Sequence, residues 1–196
     1  MIKSAYKKCI DLASHKSSKF FLAVVSFMES SFFPIPPDVM IVPMIIAKKN
    51  DFKKIFFIAT FFSVLGGIFG YFLGFIFIEF ANQIISFYGY EDKILELRFN
   101  LSQGDGFYAW FGILFLAGFT PLPYKAFTIA SGFVSFNLGI FILVSLISRG
   151  LRFFIISYLT FKFGSSFDNF MNLHGAKWFT ILGVIIMIIA GIIIII

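Results

Sequence analysis

The 196-residue chain is 59% hydrophobic and only 13% charged, with a formal net charge of +6. Soluble domains carry about 25% charged residues, so a water-soluble globule of this length, with so little polar coating, is excluded. The basic residues flank apolar tracts instead of covering one face, which argues against nucleic acid as a partner, and the single cysteine, Cys9, excludes an internal disulfide framework or a cysteine metal cluster.

Residues 1–19 hold Lys3, Lys7, Lys8, Lys16 and Lys19 against one acid, Asp11. Ile2, Tyr6, Cys9, Ile10 and Ala13 recur at helical spacing, which predicts a basic interfacial helix. A secretory signal is not expected, because the apolar run from Phe20 meets Glu29 and then Pro34, Pro36 and Pro37 with no small-residue cleavage site. Residues 20–47 are apolar but interrupted by Glu29-Ser-Ser-Phe-Phe-Pro-Ile-Pro-Pro-Asp38. The flanks fall far below the ~20 residues of one helical span, so two half-helices meeting at a break are predicted. Residues 48–54, with four lysines, read as a loop at a membrane surface.

Residues 55–80 are long enough to cross, and Gly66, Gly70 and Gly74 share one face where another helix can approach closely. Residues 81–107 read as an amphipathic connector ending in a turn at Gln103–Gly106. Residues 108–134 are apolar and again broken, by Thr120-Pro-Leu-Pro-Tyr-Lys125. Residues 139–161 can span despite Arg149 and Arg152, residues 162–177 form a loop, and 178–196 are a last spanning segment of minimal length.

The two breaks align at an offset of 87, which sets Pro34 on Pro121, Pro36 on Pro123 and Asp38 on Lys125, and also Asn50 on Asn137. Each half therefore reads as a proline-broken hairpin followed by a spanning helix. Segments 1–19 and 48–54 hold nine of the sixteen basic residues, which puts both in the cytoplasm. The first hairpin must then enter and leave on one side, 55–80 crosses outward, and the second hairpin enters from outside. The predicted fold is an all-α polytopic membrane protein of two inverted repeats plus a C-terminal spanning helix, an arrangement found in many secondary transporters.

Apart from Glu79 at the end of 55–80, five charged residues fall within the apolar segments. An acid at membrane depth costs about 2.5–3.5 kcal/mol on insertion scales, which makes Glu29 and Asp38 candidates for a substrate or proton site. Asp38 also suits the cap of the half-helix that follows Pro37. Lys125, the repeat partner of Asp38, is expected to meet it where the hairpin tips converge, or else to snorkel to the outer surface. Arg149 and Arg152 share a helix face. Their planar forks suit a phosphate or the carbonyls of a hairpin. His15 and His174 lack metal partners at useful spacing, and no nucleophile–base set or nucleotide fingerprint occurs. Neither enzymatic activity nor a metal or cofactor is expected.

The two broken segments, Glu29-Ser-Ser-Phe-Phe-Pro-Ile-Pro-Pro-Asp38 and Gly118-Phe-Thr-Pro-Leu-Pro-Tyr-Lys125 with Ser131-Gly132 following, resemble those of the DedA family, also called the VTT or SNARE-associated Golgi domain. The first run is closest to the YqaA-type branch, and the resemblance covers roughly residues 20–165. It implies opposed re-entrant hairpins and a role in flipping or scrambling lipids, including undecaprenyl phosphate, with proton dependence in some members. The family's membrane-embedded acids carry over onto Glu29 and Asp38. Its second hairpin usually has arginines flanking the proline, whereas this chain has Gly118, Tyr124 and Lys125 there. The expectation is thus a lipid transporter of the bacterial inner membrane with a cytoplasmic N-terminus and membrane lipids as partners. A coupled small-solute carrier and a non-transporting envelope scaffold are the alternatives. The glycine face of 55–80 fits packing within the chain or within a homo-oligomer.

Overall fold

Helix boundaries in this chain follow its prolines and glycines. A computed structural model describes residues 15, 17–32, 36–87, 91–102 and 106–164, and all regular structure among them is helical. The helices are α1 (Ser18–Ser31), α2 (Asp38–Ala47), α3 (Phe52–Phe87), α4 (Glu91–Ser102), α5 (Phe107–Phe119), α6 (Tyr124–Phe133) and α7 (Leu138–Phe163), with a 3-10 turn at Lys49–Asp51 before α3. Most of the expected basic N-terminal helix, Pro34 and the expected C-terminal span 178–196 lie outside the described residues.

Both expected breaks are present. At the first, Phe32 closes α1 by donating its amide to the Met28 carbonyl. Pro37, which has no amide to donate, occupies the N-cap of α2 at φ −65°. At the second, Thr120 is extended, with ψ 168°, as the residue before a proline is pushed to be. Pro123 then occupies the N-cap of α6. Asn137 caps α7 by accepting the Ile140 amide at 3.0 Å. Its expected counterpart, Asn50, sits in the 3-10 turn instead.

Length divides the helices into two kinds. At about 1.5 Å per residue α1, α2, α5 and α6 run roughly 15–21 Å, short of the ~30 Å hydrocarbon core. Two segments are long and apolar enough to cross a membrane, Lys49–Ile78 and Leu138–Phe163. Helix α3 continues past the expected end at residue 80 to Phe87, because neither glycine nor proline occurs between Gly74 and Gly89 to stop it. Large apolar side chains face outward along both long helices, among them Phe57 at 64%, Phe77 at 61% and Leu143 at 54% exposure. A surface of that kind points to association with a membrane.

Packing partners are exchanged between the halves. Helix α1 lies on α3 and α5 on α7, whereas α2 packs on α7 and α6 on α3. The glycine face of α3 is used within the chain. A Cβ at Gly66 would collide with the Phe27 backbone, one at Gly74 with the Ile129 carbonyl, and one at Gly132 of α6 with the Tyr71 carbonyl.

Contacts at the helix ends fix their directions. The Lys19–Asp51 ion pair, at 2.8 Å, sets the start of α1 beside the start of α3. Stacked Phe52 and Phe161 rings, 4.5 Å apart, bring the end of α7 to the same place. At the opposite end, Phe107 from the start of α5 stacks on Phe136, just before α7, at 5.3 Å. An apolar core built around Leu22, Met40, Ile55 and Phe153 lies toward the first end. Another, around Tyr71, Leu114, Phe136 and Phe141, fills the second. A buried polar layer separates them.

Candidate functional site

The polar layer lies at the middle of α7 and of the Lys49–Ile78 segment and is built on two ion pairs. Arg149, fully buried on α7, pairs through Nη2 with Oε2 of Glu29, whose side chain is 15% exposed near the end of α1. Arg149 Nε donates to Ser63 Oγ of α3 at 2.7 Å. Ser63 and Ser30 hydroxyls are also 2.7 Å apart, and Ser30 donates to Glu29 Oε2 at 3.1 Å. A hydroxyl has a single proton. With that of Ser30 given to Glu29, Ser63 must donate to Ser30. The bonds close a ring running from Arg149 through Ser63 and Ser30 to Glu29 and back to Arg149. The guanidinium also lies 5.0 Å from the Tyr124 ring and 4.7 Å from the Phe153 ring, within cation–π range.

The second pair joins both breaks. Arg152 Nη2 meets Asp38 Oδ2, at the start of α2, at 2.5 Å. Its Nη1 donates to the Thr120 carbonyl, at the second break, at 2.6 Å. One guanidinium fork thus clasps the two interruptions, a task its fixed planar geometry suits. The Thr120 carbonyl is available because Pro121 and the extended Thr120 backbone remove it from the helical ladder.

Asp38 was expected to meet Lys125, but its partner is Arg152. Lys125 Nζ instead reaches the Phe32 carbonyl at the end of α1, at a long 3.4 Å and in an exposed position. Asp38 makes no cap hydrogen bond but lies in the first turn of α2, where its charge suits the helix dipole as expected. Glu29, Asp38, Arg149 and Arg152 therefore come together, with Lys125 at their edge. Of the break prolines, Pro37 is buried, and Pro36, Pro121 and Pro123 are exposed. The layer holds two acids and two paired arginines, so its charges balance. Two buried atoms in it lack a hydrogen-bond partner, Arg149 Nη1 and Asp38 Oδ1.

Two proteins match most of the chain. An uncharacterized protein of Haemophilus influenzae is 34% identical over 164 residues, 83% of this chain and 82% of its own length. The uncharacterized protein HI0703 homolog of Histophilus somni is 35% identical over 162 residues, with the same coverage. The chain belongs to their family. No protein-family model and no solved structure matches it, and the names of its relatives carry no activity.

Sequence reading missed Ser63 and the Thr120 carbonyl as members of this layer. An isolated serine in a spanning helix carries no signal in one sequence, and a backbone carbonyl carries none at all. Tyr124, fully buried and donating to Ser145 Oγ at 2.6 Å, gave a signal only through the Pro-Tyr-Lys run.

Proposed function

We propose that this protein moves a lipid across the bacterial inner membrane, with the polar layer as the passage for the head group. The observation that carries the reading is the Arg152 clasp between two helix breaks at the middle of two helices long enough to span. Buried ion pairs stabilise a fold poorly compared with apolar packing of the same volume, and charged groups inside membrane segments mark pathways for polar cargo. An anionic head group would compete with Glu29 or Asp38 for its arginine. Protonation of either acid would release that arginine, which couples the site to protons. The acyl chains would stay in hydrocarbon beside the outward-facing phenylalanines.

Supporting the inverted repeat is the exchange of packing, in which the second leg of each hairpin lies on the spanning helix of the other half. Supporting re-entry is the ion pair of Lys19 with Asp51, which sets the beginning of the first hairpin beside the residues that follow it. The DedA-like motifs belong to the same reading, with the arginines of the site supplied by α7 instead of by the second hairpin.

The test is lipid flip in proteoliposomes. Wild type should move a labelled phospholipid or polyprenyl phosphate, and Asp38→Asn should slow it by about tenfold or more, the factor given by ~1.4 kcal/mol. Wild type that moves only soluble solutes would identify a small-solute carrier instead. Unaltered function of Asp38→Asn in cells would identify a scaffold. Topology is checked separately by impermeant thiol labelling. Ala13→Cys and Asn50→Cys should react from the same side, and reaction from opposite sides would make the first hairpin an ordinary crossing.

A further inference from the structure

Buried hydroxyls in helices usually satisfy themselves on the preceding turn. Ser31, Thr120 and Thr160 do so, donating to the carbonyls of Phe27, Leu116 and Ile156. Ser26, Thr60 and Ser157 do not. They are 0%, 5% and 0% exposed, and none of their oxygens has a hydrogen-bond partner. Leaving a buried hydroxyl dry is costly, and three in one region call for a partner that the chain does not supply.

Their placement is one-sided. Ser26 lies one turn before Ser30 on α1, and Thr60 one turn before Ser63 on α3, so both stand directly beneath the Ser30–Ser63 bond. Gly150 of α7 faces Thr60, a Cβ there coming 3.7 Å from Thr60 Cγ2. Ser157 is two turns further along that same face. From the Glu29–Arg149 ring all three are displaced toward the end marked by Lys19 and Asp51. Arg149 Nη1 and Asp38 Oδ1, also buried without partners, stand at the head of the series. In the opposite direction, among the described residues, no buried hydroxyl is left without a partner. Tyr71 donates to the Phe136 carbonyl, Trp110 to Ser131 and Thr128 to the Lys125 carbonyl.

We infer that Ser26, Thr60 and Ser157 line a file of bound water that links the Glu29–Arg149 ring to the Lys19–Asp51 end and is closed toward the other end. Water suits these atoms because it donates and accepts, and each hydroxyl and both orphaned charged atoms lack one or the other. The rise from the level of Thr60 to that of Ser157 is about 10 Å, room for on the order of three waters in file. Gly150, which has no side chain, lies alongside Thr60. The file hydrates the ion pairs from one side of the membrane only, and it stands whatever cargo the protein carries.

Silver ion, small enough to follow water, tests this in the full chain after Cys9→Ser removes the natural thiol. Ser26→Cys and Ser157→Cys are placed singly in oriented vesicles. Lys49→Cys marks one side, and Tyr108→Cys, at a site 82% exposed, marks the other. Thiols left unblocked are counted by maleimide gel shift after denaturation. Both buried cysteines should be blocked completely by silver applied on the Lys49 side and left intact by silver on the Tyr108 side. Equal blocking from both sides, blocking from the Tyr108 side alone, or intact thiols when Lys49→Cys is fully blocked would overturn the inference. Thr60→Val, which keeps the side-chain shape, decides independently of cysteine chemistry. Loss of a hydrated hydroxyl should lower the melting temperature by about 2–4 °C, whereas a rise would mean that the hydroxyl was dry.

Discussion

Replacing Arg149 by methionine keeps the stem of the side chain and removes a guanidinium with no exposed surface. Four interactions go with it, to Glu29, to Ser63 and to the Tyr124 and Phe153 rings. The largest cost is the Glu29 carboxylate, which stays in the polar layer with the Ser30 hydroxyl as its remaining bonded partner among the described residues. Removing one partner of a buried ion pair costs about 3–5 kcal/mol. For a chain of this length that corresponds to a melting temperature lower by roughly 6–20 °C. Glu29→Gln should cost a similar amount, since it leaves Arg149 buried and uncompensated. The double variant Glu29→Gln/Arg149→Met buries no uncompensated charge, so it should recover at least about 2 kcal/mol relative to the sum of the singles. The assay is thermal unfolding in one detergent, followed by intrinsic fluorescence, over all four corners of the cycle. Additive losses, or single variants within about 0.5 kcal/mol of wild type, would refute the claim that the pair is held as a unit in a low-dielectric layer.

Two further outcomes follow from the packing and the surface. Gly74→Ala places a methyl group against the Ile129 carbonyl, and forcing α3 and α6 apart should cost about 1–3 kcal/mol, whereas Gly112→Ala, which meets nothing, should be neutral or stabilising in the same melt. Asp51 is held below its ordinary value of 3.8 mainly by the hydrogen bond from Lys19, against a smaller upward push from burial. A lowered carboxylate stabilises the fold above its unfolded value, and that stabilisation is lost as pH falls through the folded value. The melting difference between wild type and Asp51→Asn should therefore stay level from about pH 7 to pH 5 and close below 3.8. A difference that widens on acidification would contradict this.

The helix breaks were legible in the sequence because proline acts locally. It lacks an amide and constrains its predecessor, so Thr120 and Pro37 end or start helices wherever they sit. The apolar span ends at Ile78, near the expected residue 80, yet α3 runs on to Phe87 for the converse reason. The drop in hydropathy near residue 80 marks where lipid would end, but a helix stops only where backbone hydrogen bonding is interrupted. The glycine face of α3 was visible as spacing, and the structure settled what covers it: α1 and α6 of the same chain.

Pairing within the polar layer was not legible. The repeat offset suggested Asp38 with Lys125, but an internal symmetry only places two residues at equivalent sites. They touch only if both lie on the axis. The actual partners, Arg152 for Asp38 and Arg149 for Glu29, are 114 and 120 residues away in sequence, and nothing in the local pattern links them. Composition, periodicity and prolines determined that the described residues are helical, that the stretches 55–80 and 139–161 can span, and that charges sit among apolar residues. Those properties depend on each residue and its near neighbours. Which charges neutralise one another, and which hydroxyls are left without a partner, was decided only when α1, α3 and α7 were brought side by side. Electrostatic and hydrogen-bond energies depend on distances across helices, and a linear sequence does not carry those distances.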